Sequence, residues 1–329
     1  MRIEWLWAHR IDCGGNAQKK GTSAVTRSSY GQRTHHRPVL AATCVKTLTP
    51  RPRYRSPVMA IEIEPLWDFG QPELSEQRFR AALAGACADD ALILQTQIAR
   101  TYGLRRDFVR AQEILKSIEA QVATASAEAR VRHQLEFGRT LASATHAAES
   151  QTAEVQEQAR SSYERALKDA RANQLDALAI DALHMLAFVD TAPIDQLKWG
   201  EEALVIALAS LQPAARKWEA SLRNNVGYAL HQLQRYDEAL AQFRHAVVLR
   251  ERATDAEATR VAHWMVGWTL RALNRLDEAL EIQLRLEREC EAAGVPDPYV
   301  FDELEALYRA RGDDVGAQQY AERRKRLTR

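Results

Sequence analysis

The spacing of apolar residues divides the chain into two unlike parts. In residues 1–58, isolated hydrophobic side chains alternate with Arg, Ser, Thr, His and Pro, and neither a helical nor a strand period persists. From Met59 onward, apolar residues recur at helical spacing within segments rich in Ala, Leu, Glu, Gln and Arg, most of which are strong helix formers. The pattern predicts no packed fold before Met59 and an all-α body after it.

An internal repeat organises the helical body. Displacing the sequence by 40 residues aligns 227–240 with 267–280, and eight of the fourteen aligned positions are identical. Weaker copies extend the register, with small residues at positions 99, 138, 187, 227, 267 and, less well, 305. One spacing, of 49 residues, is anomalous, and its excess falls near 143–151. That stretch predicts a longer loop between helices or a helix extension.

The repeated unit resembles the tetratricopeptide repeat, in which a helix reading W-x2-L-G-x2-Y is followed by a turn and a second helix containing A-x3-F. The best copy reads Gly227-x2-Leu230 and then Ala239-x3-Phe243, whereas Gln283 replaces the aromatic residue in the next copy. The resemblance implies an all-α, right-handed solenoid of about six helical hairpins with a period near 40 residues, and a bacterial member of the family.

Both ends of the predicted solenoid have the sequence features of caps. Residues 72–79 read as a lone helix before the first full copy, with Leu66, Trp67 and Phe69 available to cover it. At the other end, residues 322–326 place cations on the last helical turns, where the helix dipole favours them. We therefore expect an N-terminal capping segment at 59–90 and a solenoid with a C-terminal cap at 91–329.

Two glycines of the repeat require a packing explanation. Gly227 and Gly267 fall in the middle of predicted helices, where glycine costs about 1 kcal/mol relative to alanine. A close approach between the two helices of a hairpin explains their presence. We expect Ala239 and Ala279, on the second helices, to face these glycines.

The charge of residues 1–58 differs from that of the rest. They contain eleven Lys or Arg and two acids, a net of +9 against +1 for the whole chain, which leaves −8 for the remainder. Three interpretations stay open: a basic nucleic-acid arm, a transit peptide, or translated upstream DNA before a true start at Met59. We favour the third, and with it a disordered extension, because the composition changes abruptly there. An acidic body is a poor partner for phosphate backbones, so nucleic acid is not an expected partner.

The sequence contains no recognisable catalytic or metal-binding motif. It has no G-x-x-x-x-G-K-[ST], G-x-G-x-x-G, H-E-x-x-H or G-x-S-x-G. Its four cysteines lie far apart without a C-x-x-C, and no apolar run approaches the length of a membrane helix. We expect a noncatalytic, cytoplasmic protein with no cofactor, no metal and no membrane partner. The oligomeric state stays open.

The resemblance also implies where a partner would bind. In tetratricopeptide proteins the first helix of each hairpin lines the concave groove, and the residue after the small position points inward. With residues one turn away on the same face, the candidates are Arg100, Arg139, His184, Phe188, Asn224, Tyr228, His231, Trp264, Trp268 and Arg271. Aromatic rings flanked by an amide and a guanidinium suit a peptide, but the same rings can serve only to pack adjacent helices.

The predicted function is therefore a scaffold or adaptor that holds a protein or peptide in this groove. Two alternatives stay open: a ligand- or peptide-responsive regulator whose curvature changes on binding, and a noncatalytic subunit of an enzyme complex. The Lys/Asn arrangement of the carboxylate-clamp proteins that bind chaperone tails is not reproduced here. A chaperone tail is therefore not predicted as the partner.

Overall fold

The computed structural model describes residues 61–253 and 255–327. The predictions made for residues 1–58, and the start proposed at Met59, lie outside the described residues. The α-helices within them are α1 (Pro72–Leu83), α2 (Ala88–Leu104), α3 (Phe108–Val122), α4 (Ala127–Leu141), α5 (Ala153–Ala172), α6 (Asp176–Val189), α7 (Pro193–Ala209), α8 (Glu219–Gln232), α9 (Tyr236–Ala253), α10 (Ala256–Ala272), α11 (Leu276–Ala292), α12 (Pro298–Ala310) and α13 (Asp314–Leu327). Short helical turns occur at Glu64–Leu66, Ala148–Ser150 and Pro213–Arg216.

The helices after α1 form a series of antiparallel hairpins, and each helix packs against the next along the chain. Their first helices are α2, α4, α6, α8, α10 and α12, and their second helices are α3, α5, α7, α9, α11 and α13. The prediction of an all-α solenoid with about six hairpins is confirmed. Because each hairpin buries its apolar residues against its neighbours, the core runs between hairpins.

Four hairpin turns share one backbone structure. In each, a residue just after the first helix adopts a left-handed conformation, and the next amide donates a hydrogen bond to a carbonyl five residues earlier. The left-handed residues are Arg106, Gln234, Asn274 and Gly312, with φ of 64°, 59°, 58° and 76°. This turn ends the first helix and directs the chain into the second, so it sets the geometry of the repeat.

The glycines of the first helices lie under large side chains of the second helices, and our prediction about their neighbours is wrong in detail. A Cβ at Gly227 would lie 2.7 Å from Cε1 of Phe243, and one at Gly267 would lie 2.6 Å from Nε2 of Gln283. Ala239 and Ala279 are buried, but the nearest atoms over the glycines belong to residues one helical turn further on. Glycine is therefore required at these two positions because the side chains of Phe243 and Gln283 leave no room for a Cβ atom.

The predicted irregularity between the second and third copies is a loop. Helix α4 ends at Leu141 and α5 begins at Ala153. The loop is held both to the preceding hairpin and to its own, since the His146 ring stacks on Phe108 of α3 at 3.8 Å and its Nε2 lies 3.0 Å from the Thr140 carbonyl oxygen of α4. Burial lowers the pKa of His146. The extra residues therefore interrupt the period without interrupting the stack of helices.

At the front of the solenoid, an aromatic cluster packs on α1. Trp67 stacks on Phe69 at 4.5 Å and meets the fully buried Phe79 edge-on at 4.9 Å. Its indole Nε1 donates a hydrogen bond to Gln97 of α2 at 3.1 Å. The cap therefore closes the exposed side of the first hairpin with apolar rings.

The rear cap uses a charged network. Arg323 of α13 pairs with Glu287 and Glu291 of α11, and the Tyr320 hydroxyl donates to Glu287 at 3.0 Å. Burial, followed by the Glu287 carboxylate, raises the pKa of Tyr320 above its ordinary value. At least one of the predicted terminal cations therefore serves to attach the last helix.

We expect a chain consisting of residues 59–329 to fold as the full chain does, because Trp67 and Glu76 of the front cap bind residues of α2 and its following turn, all of which the shorter chain retains. In circular dichroism the two proteins should show the same helical signal per mole of chain, and their melting temperatures should agree within a few degrees. A much lower melting temperature for the shorter chain would show that residues 1–58 are needed for stability.

Candidate functional site

The predicted binding positions lie on the first helices, and we call the surface that these helices share the first-helix face. Its contacts differ along the stack: charged side chains connect α2, α4 and α6, whereas aromatic rings connect α8 and α10. The candidate residues are therefore brought together in two separate groups, and each group has its own chemistry.

The charged group is a ladder of alternating arginines and acids. Nη1 of Arg100 lies 3.4 Å from Glu136 Oε1, and Nη1 of Arg139 lies 2.7 Å from the same oxygen. Arg139 also pairs with Asp181 of α6. Each arginine that the sequence offered as a partner-binding residue is thus already bound to an acid of this chain.

Burial and pairing together fix the charges of the ladder. Burial alone would raise the pKa of Asp181, but the Arg139 and Arg100 guanidinium groups hold it below its ordinary value. For Arg139, burial opposes the charge, and the carboxylates of Asp181 and Glu136 more than compensate and raise its pKa. Asp181 and Arg139 therefore stay ionised at neutral pH, and the ion pairs of the ladder connect the first helices of the first three hairpins.

The aromatic group surrounds Trp268. The Tyr228 ring stacks on Trp268 at 6.0 Å and the Trp264 ring does so at 5.8 Å, while the His231 ring lies 3.3 Å from the Trp268 ring. Tyr228, Trp264 and Trp268 are only 7%, 6% and 8% exposed. The rings therefore pack α8 against α10 and present no more than their edges, so a partner would not insert deeply between them.

Two polar atoms in the same group lack hydrogen-bond partners. Among the residues that the structure describes, none bonds to Asn224 Oδ1 or His231 Nε2, although both atoms are buried. Burial, and then the charge of Arg271, lowers the pKa of His231 to about 4, so its ring is neutral at pH 7. Asn224, Tyr228 and His231 follow one another at helical spacing on one side of α8. An unsatisfied acceptor and a neutral imidazole therefore flank the tyrosine.

The other candidates have partners within the fold. Arg271 donates two hydrogen bonds, of 2.8 and 2.7 Å, to Glu303 of α12, so its guanidinium is already engaged by a carboxylate of this chain. The His184 ring lies 5.6 Å from the Trp218 ring, and Asn225 reaches its Nδ1 at 3.4 Å. Phe188 is half-buried and packs against the core between α6 and α7.

Sequence reasoning missed Glu136, Asp181 and Glu303, the acids that bind the predicted arginines. Glu136 and Glu303 each precede the small position of their helix by two residues, so a charge comparison between successive copies could have identified them. Asp181 has no such regular position. The pairing of Asp181 with Arg139 depends on how α6 is placed beside α4, and the repeat pattern does not reveal that placement.

Within residues 61–253 and 255–327, no group of three or more His, Cys, Asp or Glu side chains could hold a metal ion. No described helix has both the length and the apolar content required to span a bilayer.

The comparison with solved structures identifies similar folds. A signal transduction ATPase with numerous domains and a tetratricopeptide-repeat sensor, from Pyrococcus horikoshii, matches 78% of this chain at 13% identity with a TM-score of 0.60. This chain covers 40% of that protein's length. The apo form of RapI matches 80% of this chain and 72% of its own length, at 14% identity and a TM-score of 0.61. At such identities the similarity establishes the fold alone.

The comparison with protein families identifies the repeat itself. The tetratricopeptide-repeat model matches residues 218–287, which contain α8, α9, α10 and most of α11. No curated protein matches the sequence. The chain therefore contains tetratricopeptide repeats within 218–287, and the described hairpins before and after them pack helix on helix in the same way.

Proposed function

We propose that this chain is a cytoplasmic, noncatalytic scaffold or adaptor that binds a protein or peptide segment on the first-helix face, at α8 and α10. The observation that carries the proposal is the pair of buried polar atoms, Asn224 Oδ1 and His231 Nε2, that no described residue satisfies. A buried polar atom without a partner destabilises the free protein. A partner that supplies the missing hydrogen bonds would recover that free energy on binding.

A peptide backbone has the chemistry that these two atoms require. Each peptide unit carries one N–H donor and one carbonyl acceptor, while Asn224 offers an acceptor and the neutral His231 offers a donor or an acceptor at Nε2 according to its tautomer. Tyr228 lies between these two residues along α8 and stacks on Trp268, and the two rings would contact an apolar residue of the peptide. Recognition would therefore depend mainly on hydrogen bonds, with the rings as a rigid support.

The charged ladder of α2, α4 and α6 limits where the partner binds. Arg100 and Arg139 are engaged with Glu136 and Asp181, so a partner would have to displace an internal acid in order to use them. Displacing a buried ion-pair partner is costly. The proposed contact is therefore centred on α8 and α10.

An Asn224→Leu variant tests this proposal, because it should be more stable and less able to bind. Leucine removes the unsatisfied oxygen without leaving a cavity, so the free energy of unfolding should rise by about 1 kcal/mol. A random peptide library displayed on phage should be enriched by the wild-type chain and not by Asn224→Leu. Urea unfolding measures the first effect, and the affinity of a selected synthetic peptide measures the second.

The control removes an amide from the same helix without affecting the buried atoms. Gln232 is exposed at the end of α8, so Gln232→Leu should enrich the same peptides as the wild type. If Asn224→Leu bound the selected peptide as tightly as the wild type, the proposed location of the site would be wrong.

A further inference from the structure

A groove on the other side of the solenoid lies between the second helices α9 and α11, with α10 as its floor. Its volume is about 540 Å³, within the range of pockets that hold small ligands. It is lined by Arg244, Val247, Val248, His263, Val266, Leu270, Glu278, Glu281, Ile282, Arg285 and Arg288. None of these residues belongs to the first-helix site proposed above, so the two sites are independent.

The floor of the groove is apolar. Val266 and Leu270 of α10 are buried beneath it, and Ile282 of α11 lies beside them, where its Cγ2 would be 3.4 Å from a Cβ at Gly267. Val248 forms part of the rim and is 45% exposed. An apolar surface at the bottom of a groove favours a ligand with an apolar body, because its burial removes hydrocarbon from water.

The walls carry an excess of positive charge. Three arginines line the groove against two glutamates, and one of the glutamates, Glu278, already accepts two hydrogen bonds of 2.7 Å from Arg275. The rest of the chain is acidic: the total net charge is +1 and residues 1–58 contribute +9, which leaves −8 for residues 59–329. An anion is therefore favoured in the groove although the rest of the body repels it.

The arginines of α11 have unused hydrogen-bonding capacity. Arg285 forms an ion pair with Glu289 of the next turn, but at 3.7 Å this pair is too long for a hydrogen bond, so the buried Nε atom of Arg285 has no hydrogen-bond partner among the described residues. Arg288, one turn further along α11, has no hydrogen bond or ion pair within the described part of the chain and is exposed. The positive field reaches the neighbouring His263, whose pKa is lowered by burial and then by Arg285.

The dimensions of the groove favour a small molecule over a protein partner. Glu278 to Arg288 covers ten helical steps of α11, or about 15 Å at 1.5 Å per residue. A stable protein interface needs about 800 Å² on each partner, which is larger than such a groove provides. A twelve-carbon chain is of similar length to the groove.

We propose that the groove between α9 and α11 binds an amphiphilic organic anion, a carboxylate or sulfonate on an aliphatic or aromatic body. The acid group accepts hydrogen bonds from Arg285 and Arg288, and the apolar body lies over Val266 and Ile282. Charge complementarity selects the anion, and the apolar floor distinguishes it from inorganic phosphate or sulfate.

8-Anilinonaphthalene-1-sulfonate is an aromatic sulfonate that fluoresces in apolar sites, and its fluorescence is measured as the full chain is added. We expect one saturable site. Dodecanoate should displace the dye at a concentration at least tenfold lower than dodecan-1-ol, which has the same body without the charge. Equal displacement by the acid and the alcohol would show that the groove does not recognise an anion and would overturn the proposal.

Two variants locate the binding in the groove. Arg285→Gln/Arg288→Gln should raise the Kd of the dye at least tenfold, because it removes the two guanidinium groups that would donate charge-assisted hydrogen bonds to the sulfonate. Val248→Trp should abolish binding by filling the groove from its exposed rim, without removing a core side chain. If both variants bound the dye as the wild type does, the assignment of the site would be refuted.

Matched controls keep the test specific. Arg165 and Lys168 have the same spacing on the second helix α5, so Arg165→Gln/Lys168→Gln removes two charges at a distant place. Val315 is 71% exposed on α13, so Val315→Trp adds an indole elsewhere. Both controls should leave the Kd unchanged, and a loss of binding by either would count against the proposal. Should the arginine variant fail to fold by circular dichroism, Val248→Trp decides the result.

Discussion

The Gly227→Leu variant should lose about 3 kcal/mol of unfolding free energy, at the upper end of the usual effect of overpacking a core. A Cβ at this position would lie 2.7, 2.9 and 3.0 Å from three ring carbons of Phe243, and leucine adds three more carbons. Phe243 is fully buried between hairpins, so its ring has no vacant space to enter. Either the ring or the whole of α9 must move away from α8.

Urea unfolding followed by circular dichroism would measure this loss, and two alanine variants provide the control. Gly103 lies near the end of α2, and a Cβ there would have no neighbour within 4 Å. Gly103→Ala should therefore stabilise the chain by up to about 1 kcal/mol through helix propensity, whereas Gly227→Ala should destabilise it despite the same propensity gain. Equal effects of the two alanines would show that the ring does not require the glycine.

The hairpins could be predicted from the sequence because the repeat preserves local chemistry. The left-handed residues Gln234 and Asn274 occupy the same place in successive copies. The same pattern of apolar residues precedes and follows each of them. Local signals of this kind determine where helices start and stop. The helix ends and the number of hairpins could therefore be predicted without knowledge of any distant contact.

The partners across helices could not be predicted in the same way. Ala239 and Phe243 lie on neighbouring turns of one helix, and only the axial offset between α8 and α9 decides which of them covers Gly227. The sequence period constrains the spacing between copies but leaves this offset undetermined. The same limitation hid the pairing of Arg271 with Glu303, because each residue alone looks like a solvated charge on a helix.

Burial was the other property that the sequence left undecided at the candidate site. Trp264 and Trp268 occur at positions that face a groove in the repeat family, yet here the two rings stack on one another and Trp264 donates a hydrogen bond to the Tyr299 carbonyl at 3.2 Å. Large side chains at successive groove positions fill the space between first helices themselves. Asn224 beside them is as buried as the rings, and it is its unsatisfied Oδ1 that makes it the proposed hydrogen-bonding position.

The Asp181→Leu variant should be destabilised by about 3 kcal/mol at pH 7, because removing one partner of a buried ion pair leaves the other charge uncompensated. Arg139 would keep Glu136, but Glu136 also binds Arg100, so two partly buried cations would share one acid. The double variant Arg139→Met/Asp181→Leu removes one charge of each sign and should recover most of the loss. The difference between the single and double variants, measured by urea unfolding, gives the coupling energy of the pair.

The pH dependence of stability gives an independent check of the same ladder. Asp181 has a lowered pKa in the folded chain, so its contribution is fully present above the ordinary pKa of an aspartate, near pH 4, and is lost as the pH falls through the lower folded value. The melting temperatures of the wild type and of Asp181→Leu should therefore differ most between pH 5 and 8 and converge in acid. A constant difference at all pH values would mean that Asp181 stabilises the fold by packing rather than by charge. In that case the first three hairpins would be held in register by their apolar contacts alone, and the double variant would be no more stable than the single one.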